Sequence, residues 1–391
     1  MKNKKSFIGG MFAGALGAII LALVIVLVPN IFAKEASTTH KLQYIQGLLE
    51  KNYVGDIEDK QLEEGIYKGF VAAIGDPYTN YFTKEEFDQF KEKTSGTYAG
   101  IGIMMQVDQT DKLITAVQVF ENSPAEKAGL LPKDKLIKAE GIELGAENFE
   151  EAPKIIKGEP GTSVNITIFR PSENRMIDLE ITRENINYPT VEHRMVEDDI
   201  GYIQIKQFDE VTYDQFMDAL EKVNQNNPKG IVLDVRDNLG GLMNIVAEIS
   251  DELLPEGTIV YTKDKDNKIQ MLKSKEEHID IPITLLINEN SASASEILAG
   301  ALKDHNRAKL VGMTTYGKGV VQVILPIPDG SGIKVTTSKY YTPNDVCIDG
   351  VGIEPDYEVQ LPVELLLKPK LEDEEDLQLQ KAIEVLKSEI E

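Results

Sequence analysis

Two apolar runs, Gly230-Ile231-Val232-Leu233-Asp234-Val235 and Ile283 to Ile287, each end in a tight polar turn that opens into a helical segment. The first passes through Asp237-Asn238-Leu239-Gly240-Gly241 into a helix from about Met243 to Leu254. The second passes through Asn288-Glu289-Asn290 and Ser291-Ala292-Ser293-Ala294-Ser295-Glu296 into Ile297-Leu298-Ala299-Gly300-Ala301-Leu302. Strand, turn, helix is the α/β arrangement, and in it chemistry gathers at the C-terminal ends of the strands. A strand at Ile200 to Ile205 and an amphipathic helix at Tyr213 to Asn224 extend the same layer, which runs from Ile186 to about Val363. At 391 residues the chain is too long for one ordinary core, so two or three domains are expected.

The Ser-rich turn is followed by Thr314-Thr315-Tyr316-Gly317-Lys318-Gly319-Val320-Val321-Gln322. A serine hydroxyl is a weak nucleophile at neutral pH and needs an adjacent base, and a lysine amine is one known solution. Ser291, Ser293 and Ser295 compete for the role. Each also suits a helix N-cap, with Glu296 completing the helix start. A helix N-terminus offers free N–H groups to a developing oxyanion. Lys318 sits between two glycines, where backbones approach closely, and burial there lowers an amine toward a usable base. Gln322 is placed to orient that amine.

Other chemistries fit less well. A net charge of -24 argues against a nucleic-acid partner. Cys347 is the single cysteine and the histidines are scattered at 40, 193, 278 and 305, so neither a disulfide, a metal nor another cofactor is expected.

At the N-terminus, Lys2, Lys4 and Lys5 precede an uncharged stretch from Ser6 to Ala33. Signal peptides have apolar cores of about 7–15 residues, whereas about 20 suffice to span a bilayer. Residues 1–33 are therefore read as a membrane anchor or signal segment. Ile31 is not the small residue a cleavage site after Ala33 calls for, which favours an uncleaved single-pass anchor over secretion. Basic residues before the segment keep that end cytoplasmic, so the rest of the chain is expected outside.

Residues 40–93 carry helix-spaced apolar positions: Leu42, Ile45, Leu48 and Leu49, then Leu62, Ile66, Phe70, Val71 and Ile74. Asp76-Pro77 breaks the pattern and Thr83 to Phe87 reads as a capped restart. The aromatic residues Tyr78, Tyr81, Phe82 and Phe87 read as packing. From Tyr98 the chain turns to short β-like runs. Gly100-Ile101-Gly102-Ile103, the segment Ser123 to Leu130, a helix candidate at Glu147 to Ile156, the turn Gly158 to Thr162 and a strand at Val164 to Phe169 follow in order. That order resembles a PDZ domain over residues 95–183, with Lys133 where relatives carry glycine. The resemblance implies that Gly100, Ile101, Gly102 and Ile103 offer N–H groups to a peptide's terminal carboxylate while the peptide adds to a sheet edge.

Taken together, the helical unit, the PDZ-like segment, Asp234 to Gly241, the Ser-rich turn, the lysine loop and the closing run Gly350 to Asp356 resemble the carboxyl-terminal processing, or tail-specific, proteases. The resemblance covers about residues 40 to 365. It implies a serine endopeptidase with Ser293 as nucleophile, Lys318 as base and Gln322 assisting. It also implies an oxyanion hole from Ala294 and the glycine loop, with Gly240 named first and Gly241 as alternate. Leu239 replaces the proline of many relatives, and Asp345-Val346-Cys347 departs from their usual Gly-Arg-Ser. The fold expected is α/β with α+β elements: anchor, helical unit, PDZ domain, a protease core at 186–365 and a helical tail at 370–391. Substrates are expected to be proteins or peptides with exposed hydrophobic C-terminal tails outside the membrane, favoured by Ile101 and Ile103. Arg170 is a candidate contact coupling tail binding to the protease. The tail reads as an interface or docking helix, which leaves homo-oligomerisation open.

Overall fold

A computed structural model describes residues 38–390 apart from 198, 367, 369 and 370. The anchor expected at 1–33 lies outside these residues; among those described, no helix is long and apolar enough to cross a membrane. The chain divides into two compact units between Phe70 and Val71, inside the last turn of the helix Asp59–Ala72. In the smaller unit residues 38–52 are helical, and Leu42, Ile45, Leu48 and Leu49 form the expected stripe, although all four remain exposed.

The larger unit contains the rest. Thr83 caps the helix Lys84–Ser95: its hydroxyl accepts the Glu86 N–H, and the Glu86 carboxylate accepts the Thr83 N–H. Gly96, at φ 66°, ends that helix and releases the chain into the strand Thr97–Gly100. The PDZ-like segment then builds an antiparallel sheet from Ile103–Val107, Ile114–Val119, Lys135–Ala139, Ser163–Arg170 and Arg175–Thr182. Its own core holds Ile101, Ile114, Leu136, Val164, Ile166 and Ile168. The helix expected at Glu147 to Ile156 is shorter, because Pro153 has no N–H and fits only a first turn. The chain makes a single 3₁₀ turn at Ala146–Asn148 and restarts at Ala152–Ile156.

Two charged residues of this domain take unanticipated conformations or partners. Lys133, where the PDZ resemblance implies glycine, has φ 75°. Side chains disfavour this left-handed region by roughly 1–2 kcal/mol. Lys133→Gly is therefore expected to stabilise the domain by ~0.5–1 kcal/mol in urea denaturation, after glycine's greater unfolded-state entropy is counted. An unchanged or lower midpoint would show that the turn carries no strain. Arg170 is engaged within the domain: its guanidinium donates to Asp134 at 2.9 and 2.7 Å and to the Gly129 carbonyl at 2.6 Å. Among the described residues none of its hydrogen bonds reaches the protease core.

The protease core is a sheet in which Ile200–Ile205, Gly230–Asp234, Ile283–Ile287, Ala308–Gly312 and Tyr357–Glu358 run parallel, with Val191–Glu197 antiparallel at one edge. Helices Thr212–Asn224, Met243–Leu253 and Ala294–Asp304 supply Phe216, Leu220, Ile249 and Leu298 to the cluster on one face. The tail helix Leu377–Ile390 covers the other, burying Leu379, Ile383 and Leu386 against Val232, Leu286 and Val311. Full burial of one such leucine contributes roughly 1.5–3 kcal/mol, so this docking helix packs on its own chain. Arg236 clamps the tail to the sheet by donating to both Asp234 and Asp376. A second sheet joins Gly332–Tyr341 to Asn80–Phe82, Gly257–Asp264 and Val320–Pro326.

Candidate active site

Three neighbouring parallel strands, Gly230–Asp234, Ile283–Ile287 and Ala308–Gly312, end on the same side and release three loops. Hydrogen bonds stitch these loops together. The Asn238 amide donates to the Ile205 carbonyl at 2.8 Å. Its backbone carbonyl accepts the Ala292 N–H at 3.0 Å and the Ser295 hydroxyl at 2.8 Å. Asp237 accepts the side-chain amides of Asn288 and Asn290. Gly240, at φ 103°, lies so close to the serine turn that an added Cβ would meet the Ala292 oxygen at 2.7 Å and the Ala294 nitrogen at 2.9 Å. Only glycine fits there.

The three serines now separate. Ser291 is fully buried and donates to the Val235 carbonyl at 2.8 Å; Ser295 is equally buried and donates to Asn238. The Ser293 hydroxyl, partly exposed, is donated to no acceptor among the described residues. Ser293 also has φ 56°, a conformation rare outside glycine, and it immediately precedes the helix Ala294–Asp304. A strained non-glycine residue held by surrounding structure is a marker of function.

Glu296, completely buried, joins this turn to the lysine loop. Its carboxylate accepts the Ser293 N–H at 2.8 Å, the Lys318 N–H at 2.9 Å, the Gly317 N–H at 2.7 Å and the Thr315 hydroxyl at 2.6 Å. The buried Tyr340 hydroxyl adds a second link, reaching the Ser293 carbonyl at 3.0 Å and also the Lys318 carbonyl. Sequence reasoning took Glu296 only as a helix-start residue and missed Tyr340 and Asn238. A carboxylate one turn into an otherwise apolar helix was the available signal.

Burial holds the Lys318 amine below the ordinary lysine range, Lys334 pushes it the same way, and Glu296 opposes both. Its Nζ stands 4.9 Å from the centre of the Tyr78 ring. Among the described residues no hydrogen bond joins it to Ser293 or Gln322. The Gln322 amide donates instead to the Val320 carbonyl at 3.2 Å. The glycine loop departs from expectation as well. The Gly240 N–H is taken by the Asn238 side-chain oxygen at 2.8 Å, so it is not free for an oxyanion. The Gly241 and Ala294 N–H groups find no acceptor among the described residues, so of the two glycines named in the sequence Gly241 is the one whose N–H is left unengaged.

In the PDZ-like domain, a cavity of ≈ 230 Å³ opens beside Gly100 and is lined by Ile101, Ile103, Met105, Phe149, Pro153 and Ile156. Lys157 stands over the Tyr98 ring at 4.9 Å and pairs with Glu92. The cavity is apolar with one cation at its edge.

Comparison with known proteins agrees with this architecture. The family profile described as Peptidase family S41 matches residues 199–359, a PDZ domain profile matches 99–181, and one for the Activating protease CtpB N-terminal domain matches 29–86. A carboxy-terminal-processing protease of Bartonella bacilliformis is 35% identical over 358 residues, covering 89% of this chain and 82% of that one. The chain belongs to the carboxy-terminal-processing serine proteases of peptidase family S41. A probable CtpA-like serine protease of Staphylococcus aureus (strain COL) is 34% identical over 360 residues, covering 89% of this chain and 72% of the relative. A putative S41 protease from Bacteroides fragilis shares the fold, with a TM-score of 0.51 at 16% identity over 82% of this chain and 90% of that one. This processing protease is thus a serine peptidase carrying a PDZ domain.

Proposed function

We propose that this processing protease uses Ser293 and Lys318, assisted by Gln322, to cut proteins selected by a hydrophobic C-terminal tail held in its PDZ domain. The observation that carries the reading is the Glu296 carboxylate, which binds the Ser293 and Lys318 N–H groups at once and makes one unit of the two loops. The Ser293 hydroxyl attacks the scissile carbonyl and its proton passes to the neutral Lys318 amine. The resulting oxyanion is received by the N–H groups of Gly241 and Ala294. As the intermediate collapses, the leaving amine takes the proton from Lys318. Water then hydrolyses the acyl ester, with Lys318 again accepting the proton.

For tail selection, Gly100, Ile101, Gly102 and Ile103 receive the terminal carboxylate, Lys157 adds positive charge, and the apolar cavity takes the last side chain. Residues 1–33 anchor the protein in the cell membrane with the protease outside. The test compares cleavage of one peptide ending in a free carboxylate and an apolar residue, its C-terminal amide, and a version ending in Asp. The first is expected to be cut at least about tenfold faster, the value of one lost charge-assisted contact. Equal rates for all three would remove tail reading while leaving the Ser-Lys chemistry standing.

A further inference from the structure

We infer that Tyr78, delivered from the turn before the first strand of the second sheet, is a positioning residue that seats the Lys318 amine. The inference rests on the Ser293–Lys318 reading above. Tyr78 is held firmly for such a task. Its N–H donates to Asp76 at 3.1 Å, and the Thr79 hydroxyl donates to the same carboxylate at 2.5 Å. Thr79 in turn accepts the Thr336 N–H at 3.0 Å, and the following residues Asn80–Phe82 pair with Lys334 to Gly332. The turn is thereby fixed to the strand Gly332–Tyr341, whose Tyr340 hydroxyl reaches both Ser293 and Lys318.

The ring face is chemically suited to the task. Among the described residues Lys318 Nζ makes no hydrogen bond or ion pair, and its one aromatic contact there is the Tyr78 ring, 4.9 Å away. A carboxylate in that place would hold the amine protonated at working pH. An aromatic face attracts the ammonium more weakly and leaves the neutral amine's lone pair free. The charged and titratable groups around the pair are Glu296, Lys334, Asp76, Asp349, Tyr316 and Tyr340. Burial, followed by Tyr316, keeps the Tyr78 phenol above its usual range, so the ring stays uncharged. Tyr78 therefore locates the base without neutralising its function.

The test is the pH dependence of kcat and kcat/KM for the full chain with Tyr78→Phe, Tyr78→Leu and Tyr78→Trp, beside Lys318→Ala. Phe keeps the ring face, loses only the hydroxyl's hydrogen bond to Tyr316, and is expected to keep the parent midpoint. Leu keeps apolar cover but removes the ring's attraction for the ammonium. Its rising limb should move about half a unit to one unit toward lower pH, and its plateau kcat should fall ~10–100-fold as the amine loses its seat. Trp, with the stronger face, should move the limb toward higher pH and keeps the test open if the Leu variant fails to fold. Midpoints and plateaus that coincide for Phe, Leu and Trp would overturn the role of Tyr78. Retained activity in Lys318→Ala would instead overturn the Ser-Lys reading itself.

Discussion

Ser293→Ala and Lys318→Ala are each expected to lower kcat/KM by about 10⁴–10⁶-fold, and the double variant no further than the worse single one, because groups acting on one proton fail together. Neither change should unfold the protein. The Ser293 hydroxyl is donated to no described acceptor and the Lys318 amine has no ion pair among those residues, so truncation orphans no buried partner. Ser291→Ala and Ser295→Ala should behave in the opposite way. Each removes a hydroxyl donated to a buried carbonyl, so each should cost about 1–3 kcal/mol of stability. The parent enzyme should gain activity as pH rises through the Lys318 value, which burial places below the ordinary lysine range, since only the neutral amine accepts the serine proton. Peptide hydrolysis surviving in Ser293→Ala, measured on a chain with unchanged unfolding, would sink the assignment.

What the sequence disclosed follows a physical division. Periodicity and turn chemistry are local, so the strands at Ile200, Gly230 and Ile283 and the cap at Thr83 were readable within a residue of their observed bounds. Pro153 is a local signal too, yet a helix was expected across it from Glu147 to Ile156, and the chain sided with the proline. The choice among three serines was not legible from Ser-Ala-Ser-Ala-Ser. It depends on which hydroxyls find carbonyls 56 or 57 positions away in sequence, at Val235 and Asn238. Which glycine keeps a free N–H was hidden for a similar reason. Gly240 and Gly241 are equivalent on paper, and only the folded Asn238 side chain engages one of them. Tyr78 read as packing because an aromatic residue beside a proline turn usually is. Its contact with Lys318 spans 240 residues of chain and has no local signature.

Glu296→Ala is expected to lose both stability and activity, a combination that separates it from the dyad variants. Its carboxylate is completely buried and accepts four donors: the N–H groups of Ser293, Gly317 and Lys318 and the Thr315 hydroxyl. An unsatisfied buried donor costs about 1–3 kcal/mol, and with some relaxation the four together should cost ~3–5 kcal/mol in urea denaturation. The catalytic loss should be about 10²–10³-fold in kcat, since the serine turn and the lysine loop would no longer share an anchor. Glu296→Gln preserves shape but points an NH₂ group at N–H or O–H donors, so it should recover little of either. The same substitution removes the negative charge that opposes burial at Lys318. The amine should then titrate lower, and the rising limb of the pH profile should shift toward acid in whatever activity remains. A Gln variant with parental kcat would show that the two loops hold their geometry without this carboxylate. Loss of stability alone, with parental kcat in the folded fraction, would confine Glu296 to the core.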